Sequence, residues 1–411
     1  MRWRRGFELV ACALVRHFPR VSLENARLGV DTEPFAASYR GRRVLVTGHT
    51  GFKGAWLAEW LLALGAEVTG LSLDPPTQPA LFDQLGLAGR LHDRRVDLRE
   101  ASAVREVIEQ AQPDYIFHLA AQAIVRESYA RPEDTFAVNV QGTANLLGAL
   151  RGRTQPCAVV CVTSDKCYEN RGWVFGYREN DPLGGHDPYS ASKGAAEIVI
   201  ASMRRSFFAD GPVRVASARA GNVIGGGDWA KDRIVPDSVR ALARGEPIPV
   251  RNPRSTRPWQ HVLEPLSGYL WLGALLRRPE LRSLKPEAIA SAFNFGPDAD
   301  ANRTVGEVVG EILRHWPGRW EDRSDPQAPY EASLLQLATD KARAVLGWSP
   351  VWGFREAVAA TVSWYRRAET NPAETNLQDL TAGQIAAYTA QARTLGLPWA
   401  LPARDTATKT P

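Results

Sequence analysis

The residues of this chain best suited to chemistry are a serine, a tyrosine and a lysine. Tyr189 and Lys193 are four residues apart, and on a helix this spacing places two side chains on the same face. A lysine ammonium beside a phenol stabilises the phenolate and lowers the pKa of the tyrosine, which then serves as a base near neutral pH. Ser164 lies 25 residues earlier, after a predicted strand, where its hydroxyl can hold a substrate oxygen. The set predicts reversible oxidation of a carbinol by hydride transfer to a nicotinamide.

Two further ionisable residues follow this serine directly. Asp165 and Lys166 place an acid and an amine at the end of the same predicted strand. Oxidation alone needs neither group, whereas an additional proton transfer needs an acid and a base whose pKa values are moved apart by their neighbours. The alternative is an aspartate–lysine surface pair without a catalytic role.

A glycine-rich segment precedes these residues in the chain. It follows a short apolar strand at 43–47 and opens an amphipathic helix that ends near Gly65. Glycines permit a tight turn here and let backbone N–H groups approach a pyrophosphate at the helix N-terminus. This strand–turn–helix context predicts a dinucleotide site, the alternative being a turn with only a structural role. The predicted binding residues are Gly48, Thr50, Gly51, Phe52, Lys53 and Gly54.

The end of the second predicted strand indicates which dinucleotide is bound. Asp74 lies 20 residues after Gly54. A carboxylate there accepts hydrogen bonds from both ribose hydroxyls and repels a 2′-phosphate, which favours NAD over NADP. The alternative is that Asp74 belongs to a surface loop.

The elements that must position these residues alternate between strand and helix from residue 42 to about residue 244. This alternation predicts an α/β fold with a doubly wound parallel sheet of the Rossmann type. Beyond about residue 225 the order loosens, and we expect a smaller C-terminal substrate-binding lobe over the carboxyl ends of the strands. The predicted divisions are a basic, poorly ordered extension at 1–40, an NAD-binding domain at 41–225, a mainly substrate-binding lobe at 226–370 and a C-terminal tail at 371–411.

Composition and charge restrict the partners. The net charge of +5 arises within residues 1–43, which hold nine arginines and four acidic residues. A basic tail can bind nucleic acid or a membrane, but proline, tryptophan and acidic residues are interspersed, so a solvated extension is favoured. No apolar run approaches the about 18–20 residues of a spanning helix, and the apolar stretch near Leu9 is too short for a signal peptide. We expect a cytoplasmic protein with neither a nucleic-acid nor a membrane partner.

Three of the four cysteines, Cys157, Cys161 and Cys167, are close together in the sequence. They form no CxxC pair and have no neighbouring series of histidines. Reduced, packed thiols are therefore predicted, and no metal site is expected.

Five segments closely resemble the CDP-glucose 4,6-dehydratase family, a group of NAD-dependent extended short-chain dehydrogenases/reductases. The segments are 48–54, 163–170, 181–190, 218–229 and 257–262, and the likeness runs from about residue 40 to 370. The resemblance implies that Tyr189 deprotonates the glucose 4-hydroxyl while C4 gives hydride to NAD. Water then leaves across C5 and C6, and the hydride returns to C6. The product would be CDP-4-dehydro-6-deoxyglucose, a deoxysugar intermediate of the kind used in polysaccharide biosynthesis.

The resemblance also implies roles for the two residues after Ser164. Asp165 corresponds to the acid that protonates the departing C6 hydroxyl. The related dTDP-glucose dehydratases carry a glutamate base at the next position, where this chain has Lys166. Lys166 can act as the base at C5 only if desolvation or a cation such as Lys193 lowers its pKa.

Ligand contacts are implied in the same way. The expected contacts with adenine and along the dinucleotide are Asp97, Leu98, Leu119, Ala120 and Ala121. In the substrate lobe, Asn222 corresponds to a contact with the sugar diphosphate and Arg257 to an arginine on the phosphates. Arg233 and Arg251 are further substrate-binding candidates, with a surface position as the alternative. Trp259 and His261 either pack under the nucleotide base or fill the lobe, and a homodimer through helices near Tyr189 is expected.

Two other readings remain open at the sequence level. The first is a nucleotide-sugar epimerase, or a dehydratase for a dTDP-, UDP- or GDP-sugar; an epimerase has no need of an acid–base pair beside Ser164. The second is a non-catalytic NAD-binding scaffold, against which the intact Ser164, Tyr189 and Lys193 argue.

Overall fold

The computed structural model describes residues 34–324, 335–370 and 374–401, so most of the predicted basic extension lies outside the described residues. The strands in chain order are β1 (Arg43–Thr47), β2 (Glu67–Ser72), β3 (His92–Arg95), β4 (Tyr115–His118), β5 (Cys157–Val162), β6 (Val213–Ala220), β7 (Val223–Ile224), β8 (Ile248–Val250), β9 (Thr256–Pro258), β10 (Gln260–His261), β11 (Ala292–Phe295), β12 (Asn302–Thr304) and β13 (Trp320–Asp322).

The helices connect and cover these strands. They are α1 (Pro34–Tyr39), α2 (Phe52–Ala63), α3 (Leu81–Gln84), α4 (Ala101–Ala111), α5 (Val125–Ala130), α6 (Pro132–Phe136), α7 (Gly142–Gly148), α8 (Pro188–Phe207), α9 (Ile234–Ala243), α10 (Leu263–Arg277), α11 (Pro286–Ile289), α12 (Val305–His315), α13 (Phe354–Thr370) and α14 (Leu377–Thr394). A π-helical turn over Ala137–Gln141 joins α6 to α7.

A seven-stranded parallel sheet forms the centre of the fold, with strand order β11-β6-β5-β4-β1-β2-β3. Its inner strands are mostly apolar because helices cover both faces, and every residue of β4 is buried. The order reverses between β1 and β4, and the carboxyl ends of these two strands open the crevice in which ligands of such sheets bind. The predicted doubly wound sheet is confirmed.

The division predicted at residue 225 does not separate two units of structure. β11 pairs with β6 and completes the main sheet, and α10 packs against β5 and β6. Three two-stranded sheets, β7 with β10, β9 with β12 and β8 with β13, form the smaller lobe together with α9 and α12. The chain therefore crosses from lobe to sheet and back after residue 225.

Both ends of the described chain pack onto the same side of the main domain. In α1, Phe35 stacks on Trp399 with ring centroids 4.9 Å apart, and the Tyr39 hydroxyl donates to the carbonyl of Leu270. In α14, the buried Tyr388 donates to Glu264 Oε2 over 2.7 Å. Ordered helices therefore lie within both the predicted extension at 1–40 and the predicted tail at 371–411, and the domain division itself stays a prediction.

Further sequence predictions can be compared directly with the structure. Cys157, Cys161 and Cys167 are buried free thiols, as predicted. Within the described ranges, no helix combines the length and the apolar character required to cross a bilayer.

Candidate active site

The glycine-rich loop connects β1 to α2 at the point where the strand order reverses. Gly48 has φ +76°, and a side chain on it would place Cβ 2.7 Å from the backbone nitrogen of Ala120. A Cβ on Gly54 would lie 2.0 Å from the carbonyl oxygen of Gly48. Gly51 precedes α2, and no side chain caps the helix N-terminus, so its first N–H groups can bind an anion. The loop therefore suits a pyrophosphate.

The side chain of Thr50 fixes this loop to the neighbouring strand. Its hydroxyl pairs with Ser72 Oγ over 2.8 Å and donates to the Leu73 carbonyl over 3.0 Å. His49 is also buried and pairs through Nε2 with Asp93 Oδ1 on β3 over 2.9 Å. Two side chains of the loop are thus used to anchor it, and both contact the β2–β3 edge of the sheet.

Asp74 follows β2 with its side chain 93% exposed. Arg95 Nη1, at the end of β3, lies 3.4 Å from its carboxylate and donates to the Leu73 carbonyl over 3.0 Å. Arg95 is itself bound by Asp93, at 2.7 Å from Nη2. The structure thus adds a guanidinium beside the predicted ribose site, which the sequence did not indicate.

The other predicted dinucleotide contacts lie along the same crevice. Asp97 is occupied by hydrogen bonds from the Arg99 side chain and backbone, which hold the pKa of its carboxyl below the usual value. The Leu98 side chain is buried, and a Cβ on Gly142 would come within 2.9 Å of it, so little of Leu98 is left to contact an adenine.

Leu119, Ala120 and Ala121 follow β4 and remain partly exposed. The backbone N–H of Ala120 donates to Thr47 Oγ1 over 3.1 Å, which ties this segment to the end of β1. Asn139 links the adjoining Gln122 to Ser192 on α8, with Nδ2 2.8 Å from Ser192 Oγ. The cofactor crevice and the helix of the predicted base are therefore held together.

Ser164, Asp165 and Lys166 form a tight turn at the end of β5. The serine hydroxyl donates to Asp165 Oδ1 over 2.9 Å and accepts the backbone N–H of Lys166 at 3.2 Å. Burial raises the pKa of the Asp165 carboxyl, against the opposing effects of Lys166, Ser164 and Arg257. A Cβ on Gly221 would lie 2.9 Å from Asp165 Oδ2, so a glycine is needed there. Asp165 is therefore suited to carry a proton.

Tyr189 and Lys193 lie in the first two turns of α8, and both are buried. The lysine Nζ lies 6.0 Å from the centroid of the tyrosine ring. Burial raises the pKa of Tyr189 to about 12, while Ser164 and Arg233 act to lower it. Desolvation of the phenol outweighs these favourable interactions. Burial also lowers the pKa of Lys193 to about 8.

Two cations in this group were not connected with the catalytic residues by the sequence analysis. Arg233 donates to Asp228 Oδ2 over 2.8 Å, and its charge acts on Tyr189. Lys53, predicted only as part of the loop, donates to Tyr269 Oη on α10 over 3.0 Å. Removal from solvent, followed by the charge of Lys193, lowers the pKa of Lys53 to about 7. Contacts between distant segments have no local sequence signal.

The remaining lobe candidates divide into two groups. Asn222 directly follows Gly221, the residue that packs against Asp165, and the Arg257 charge acts on the same carboxylate. Arg251 is instead half-exposed and pairs with Asp232 over 2.8 Å, with no contact to the catalytic residues among those described.

Trp259 and His261 fill the lobe. Trp259 is buried and donates to the Arg303 carbonyl over 2.9 Å. His261 is enclosed between Trp56 and Trp352, and burial lowers its pKa to about 3. Neither indole nor imidazole is available to a nucleotide base.

A groove leads away from the catalytic turn. It begins at Gly221 and Pro258 and continues past Pro297 and Leu337. A wider cavity adjoins it, lined by Gly176, Asp298, Thr339 and Arg343 among others.

A doubly wound sheet with a glycine loop and a serine–tyrosine–lysine set at its switch point defines an extended short-chain dehydrogenase/reductase. The family model described as GDP-mannose 4,6 dehydratase matches residues 45–361. The chain is 45% identical over 334 residues to the CDP-glucose 4,6-dehydratase of Salmonella typhimurium, covering 80% of this chain and 91% of that protein. It is 30% identical over 339 residues to the dTDP-glucose 4,6-dehydratase of Streptomyces antibioticus, covering 79% and 92%.

A solved structure agrees with this assignment. MoeE5 in complex with UDP-glucose and NAD is 26% identical, with a TM-score of 0.65 over 79% of this chain and 99% of that one. The chain belongs to the GDP-mannose 4,6-dehydratase family of NAD-dependent nucleotide-sugar epimerases and dehydratases.

Proposed function

We propose that this protein is a CDP-glucose 4,6-dehydratase, a hydro-lyase that converts CDP-glucose to CDP-4-dehydro-6-deoxyglucose and water. The observation that carries the proposal is the buried Asp165 carboxyl, hydrogen-bonded to Ser164 beside Tyr189, because a raised pKa suits an acid that assists loss of a hydroxyl. An epimerase has no use for such an acid. The identity of 45% with a CDP-glucose 4,6-dehydratase supports the choice of nucleotide.

The residues present fit NAD. The loop from Gly48 to Gly54 leaves room for a pyrophosphate at the N-terminus of α2, and Asp74 is exposed at the expected ribose position. MoeE5 was solved with NAD. When bound, NAD accepts the hydride from C4 of the sugar and returns it to C6.

Side chains of this protein carry out the proton transfer of the oxidation step. Ser164 holds the 4-hydroxyl of the sugar, and Tyr189 takes the proton from this hydroxyl as C4 is oxidised. Arg233 and Ser164 stabilise the phenolate, since both act to lower the pKa of Tyr189. Lys193 keeps an ammonium beside the ring.

The elimination step uses the turn after β5. The 4-ketone acidifies the hydrogen at C5, and Lys166, in its neutral amine form, is the proposed base that removes it. Asp165 gives its proton to the hydroxyl that leaves C6 as water. The two neighbours on one tight turn can thus serve adjacent carbons of one sugar.

The smaller lobe supplies the remaining contacts in this proposal. Arg257 and Arg233 bind the diphosphate, and Asn222 lies between them and the sugar. The cytoplasmic location stays a prediction from the sequence.

We further propose a homodimer formed through the helices next to the site. α5 and α6 pack against α8. Large apolar side chains are exposed on all three helices, with Tyr129 66%, Phe136 39% and Ile198 61% exposed. Such a patch favours association.

The function is tested by incubating the full chain and NAD with CDP-glucose and measuring the alkaline ultraviolet absorbance of a 4-keto-6-deoxy sugar. Parallel reactions contain dTDP-, UDP- and GDP-glucose and GDP-mannose. Tyr189→Phe, which retains the ring, is the matched inactive control. Product from CDP-glucose alone supports the proposal, and product from another nucleotide alone refutes the choice of CDP. No product in any reaction with the folded, NAD-bound chain refutes the proposal and leaves the epimerase and scaffold alternatives.

A further inference from the structure

A buried carboxylate with no role in the proposed chemistry lies directly behind the catalytic residues. Glu197 is on α8, one turn after Lys193, and is 3% exposed. Its Oε1 accepts the hydroxyl of Thr163 at 2.5 Å. Its Oε2 accepts Ser217 Oγ at 2.7 Å and Arg219 Nη2 at 2.8 Å. One side chain thus joins α8 to the ends of β5 and β6.

The arginine of this pair extends the connection to the catalytic turn. Arg219 is equally buried, and its Nη1 donates to Tyr168 Oη over 2.7 Å and to the Glu179 carbonyl over 3.0 Å. Tyr168 directly follows the turn of Asp165 and donates to Asn294 Oδ1 on β11 over 2.8 Å. The turn is therefore fixed from behind by the same ion pair.

Stability alone is a weak explanation for such a pair. Replacing a buried ion pair by apolar residues is often neutral or stabilising, because removing two charges from water is costly. The position of this pair, in contact with each segment that carries a catalytic group, suggests a second purpose. Thr163 precedes Ser164, and Glu197 follows Lys193 on the same helix.

We propose that Glu197 is a positioning residue of this active site, whose carboxylate fixes the Ser164 strand end against α8 and whose charge keeps Lys193 as an ammonium. This inference rests on the proposed function of Tyr189 and Lys193. It goes beyond that function because it assigns the charge state of the lysine to a residue that contacts neither substrate nor cofactor.

The groups that face Lys193 come from four elements. Lys53 on α2 and His118 on β4 lie near it, and burial lowers the pKa of His118 to about 3, so this imidazole is neutral. Cys167 and Glu197 both favour the ammonium. The pKa of the buried Cys167 thiol is raised well above its ordinary value, so it carries no charge near neutral pH. Of these two, Glu197 alone supplies a negative charge there.

The experiment compares single-turnover pH profiles of C4 oxidation, measured as reduced nicotinamide, for Asp165→Asn as the parent and for the same variant with Glu197→Gln, so that ionisation of Asp165 does not contribute. Without the carboxylate, Lys193 loses its proton at lower pH than its value of about 8. We expect the basic limb of the profile to move down by about one pH unit or more, the usual effect of one neighbouring charge. Glu197→Asp keeps the charge and is expected to keep the position of the limb, with a lower single-turnover rate.

A second variant covers the case in which Glu197→Gln leaves Arg219 unpaired and does not fold. Glu197→Gln combined with Arg219→Gln removes both charges. Loss of the guanidinium offsets part of the effect on Lys193, so a smaller displacement of the limb in the same direction is expected, and the fold is checked by circular dichroism. Glu264→Gln removes an equally buried carboxyl on α10 and is the matched control. We expect its basic limb to lie at the same pH as that of the parent. A folded Glu197→Gln or double variant whose basic limb overlays that of the parent overturns the inference. An unsubstituted protein that forms no keto sugar refutes the proposed function instead.

Discussion

At the scale of single residues, the site depends on groups whose ionisation is changed by burial. Asp165 and Tyr189 both have pKa values raised by desolvation, and that of Lys193 is lowered to about 8 by the same cause. The residue types and their spacing could be predicted from the sequence because each motif is local. The direction in which the pKa of Tyr189 is shifted could not be predicted, because it depends on how completely other segments cover the phenol.

Asp165→Asn tests the acid. The amide cannot donate a proton to the C6 hydroxyl, so formation of the keto sugar should fall by about a hundredfold or more, within the range of acid catalysis. Oxidation at C4 should persist, and reduced nicotinamide should accumulate, measured by its near-ultraviolet absorbance. Equal loss of both signals would show that Asp165 has no specific role in elimination.

A pH dependence follows from the same carboxyl. The acid must be protonated, and because its pKa is raised, the protonated form persists to higher pH than for an ordinary aspartate and is lost as the pH rises through that value. The persisting C4 oxidation in Asp165→Asn should therefore lack the part of the basic-side loss that comes from Asp165 and keep only the part that follows deprotonation of Lys193. A single-turnover pH series measures both.

Asp74→Ala tests the cofactor choice. Loss of the hydrogen bonds to ribose should weaken NAD binding by about tenfold, or ~1.4 kcal/mol. Binding of NADP should improve, because Arg95 lies 3.4 Å from Asp74 and becomes available to a 2′-phosphate. Calorimetric titration measures both affinities. The double variant with Arg95→Ala should lose the gain in NADP affinity, and a gain that survives it would exclude Arg95 from this role.

At the scale of elements, a helix or strand could be predicted from the sequence where its apolar residues recur with a regular period. A helix could not be predicted where all its faces are buried. The alternation from β1 to β6 appears in the sequence because apolar strands alternate with helices such as α4, which has one buried face and one polar face. All residues of α10 except its last are buried, so it has no polar face and was not predicted. Strand β3 was not predicted for the opposite reason: its sequence, His-Asp-Arg-Arg, is entirely polar. It forms a strand because it pairs with β2.

Helix α10 also carries the carboxyl that anchors α14. Glu264 accepts the backbone N–H groups of Val351 and Trp352 and the hydroxyl of Tyr388. Burial raises its pKa to about 7. The folded state therefore binds a proton that the unfolded chain releases near pH 4.5, and this group's contribution to stability falls as the pH rises from about 4.5 to about 7. Glu264→Gln should make the melting temperature less dependent on pH in that window. An unchanged dependence would contradict the raised pKa.

At the scale of the whole molecule, the site is assembled from segments far apart in the sequence. The glycine loop, the turn after β5, the start of α8 and the lobe residue Arg257 meet at one end of the sheet. The family resemblance indicated most of these residues. Contacts between them, such as that of Lys53 with Tyr269, needed the structure because no local pattern encodes them.

The apolar patch on α5, α6 and α8 gives the prediction at this scale. Ile198→Glu places a charge in the proposed dimer contact and should weaken association by about a hundredfold, because burying an unpaired charge costs several kcal/mol. Light scattering coupled to gel filtration should then show a monomer where the parent is a dimer. Val174→Glu, at an exposed apolar position of a separate loop, is the control. A monomeric parent would refute the dimer.

The central claim, that one active site oxidises C4 and later returns the same hydride to C6, is tested most directly by isotope transfer. The full chain is incubated with CDP-glucose carrying deuterium at C4, and the product is analysed by NMR. The account predicts deuterium at C6 of the 4-keto-6-deoxy sugar, with no net consumption of NAD. Deuterium still at C4, as in an epimerised sugar, or lost to solvent would contradict it.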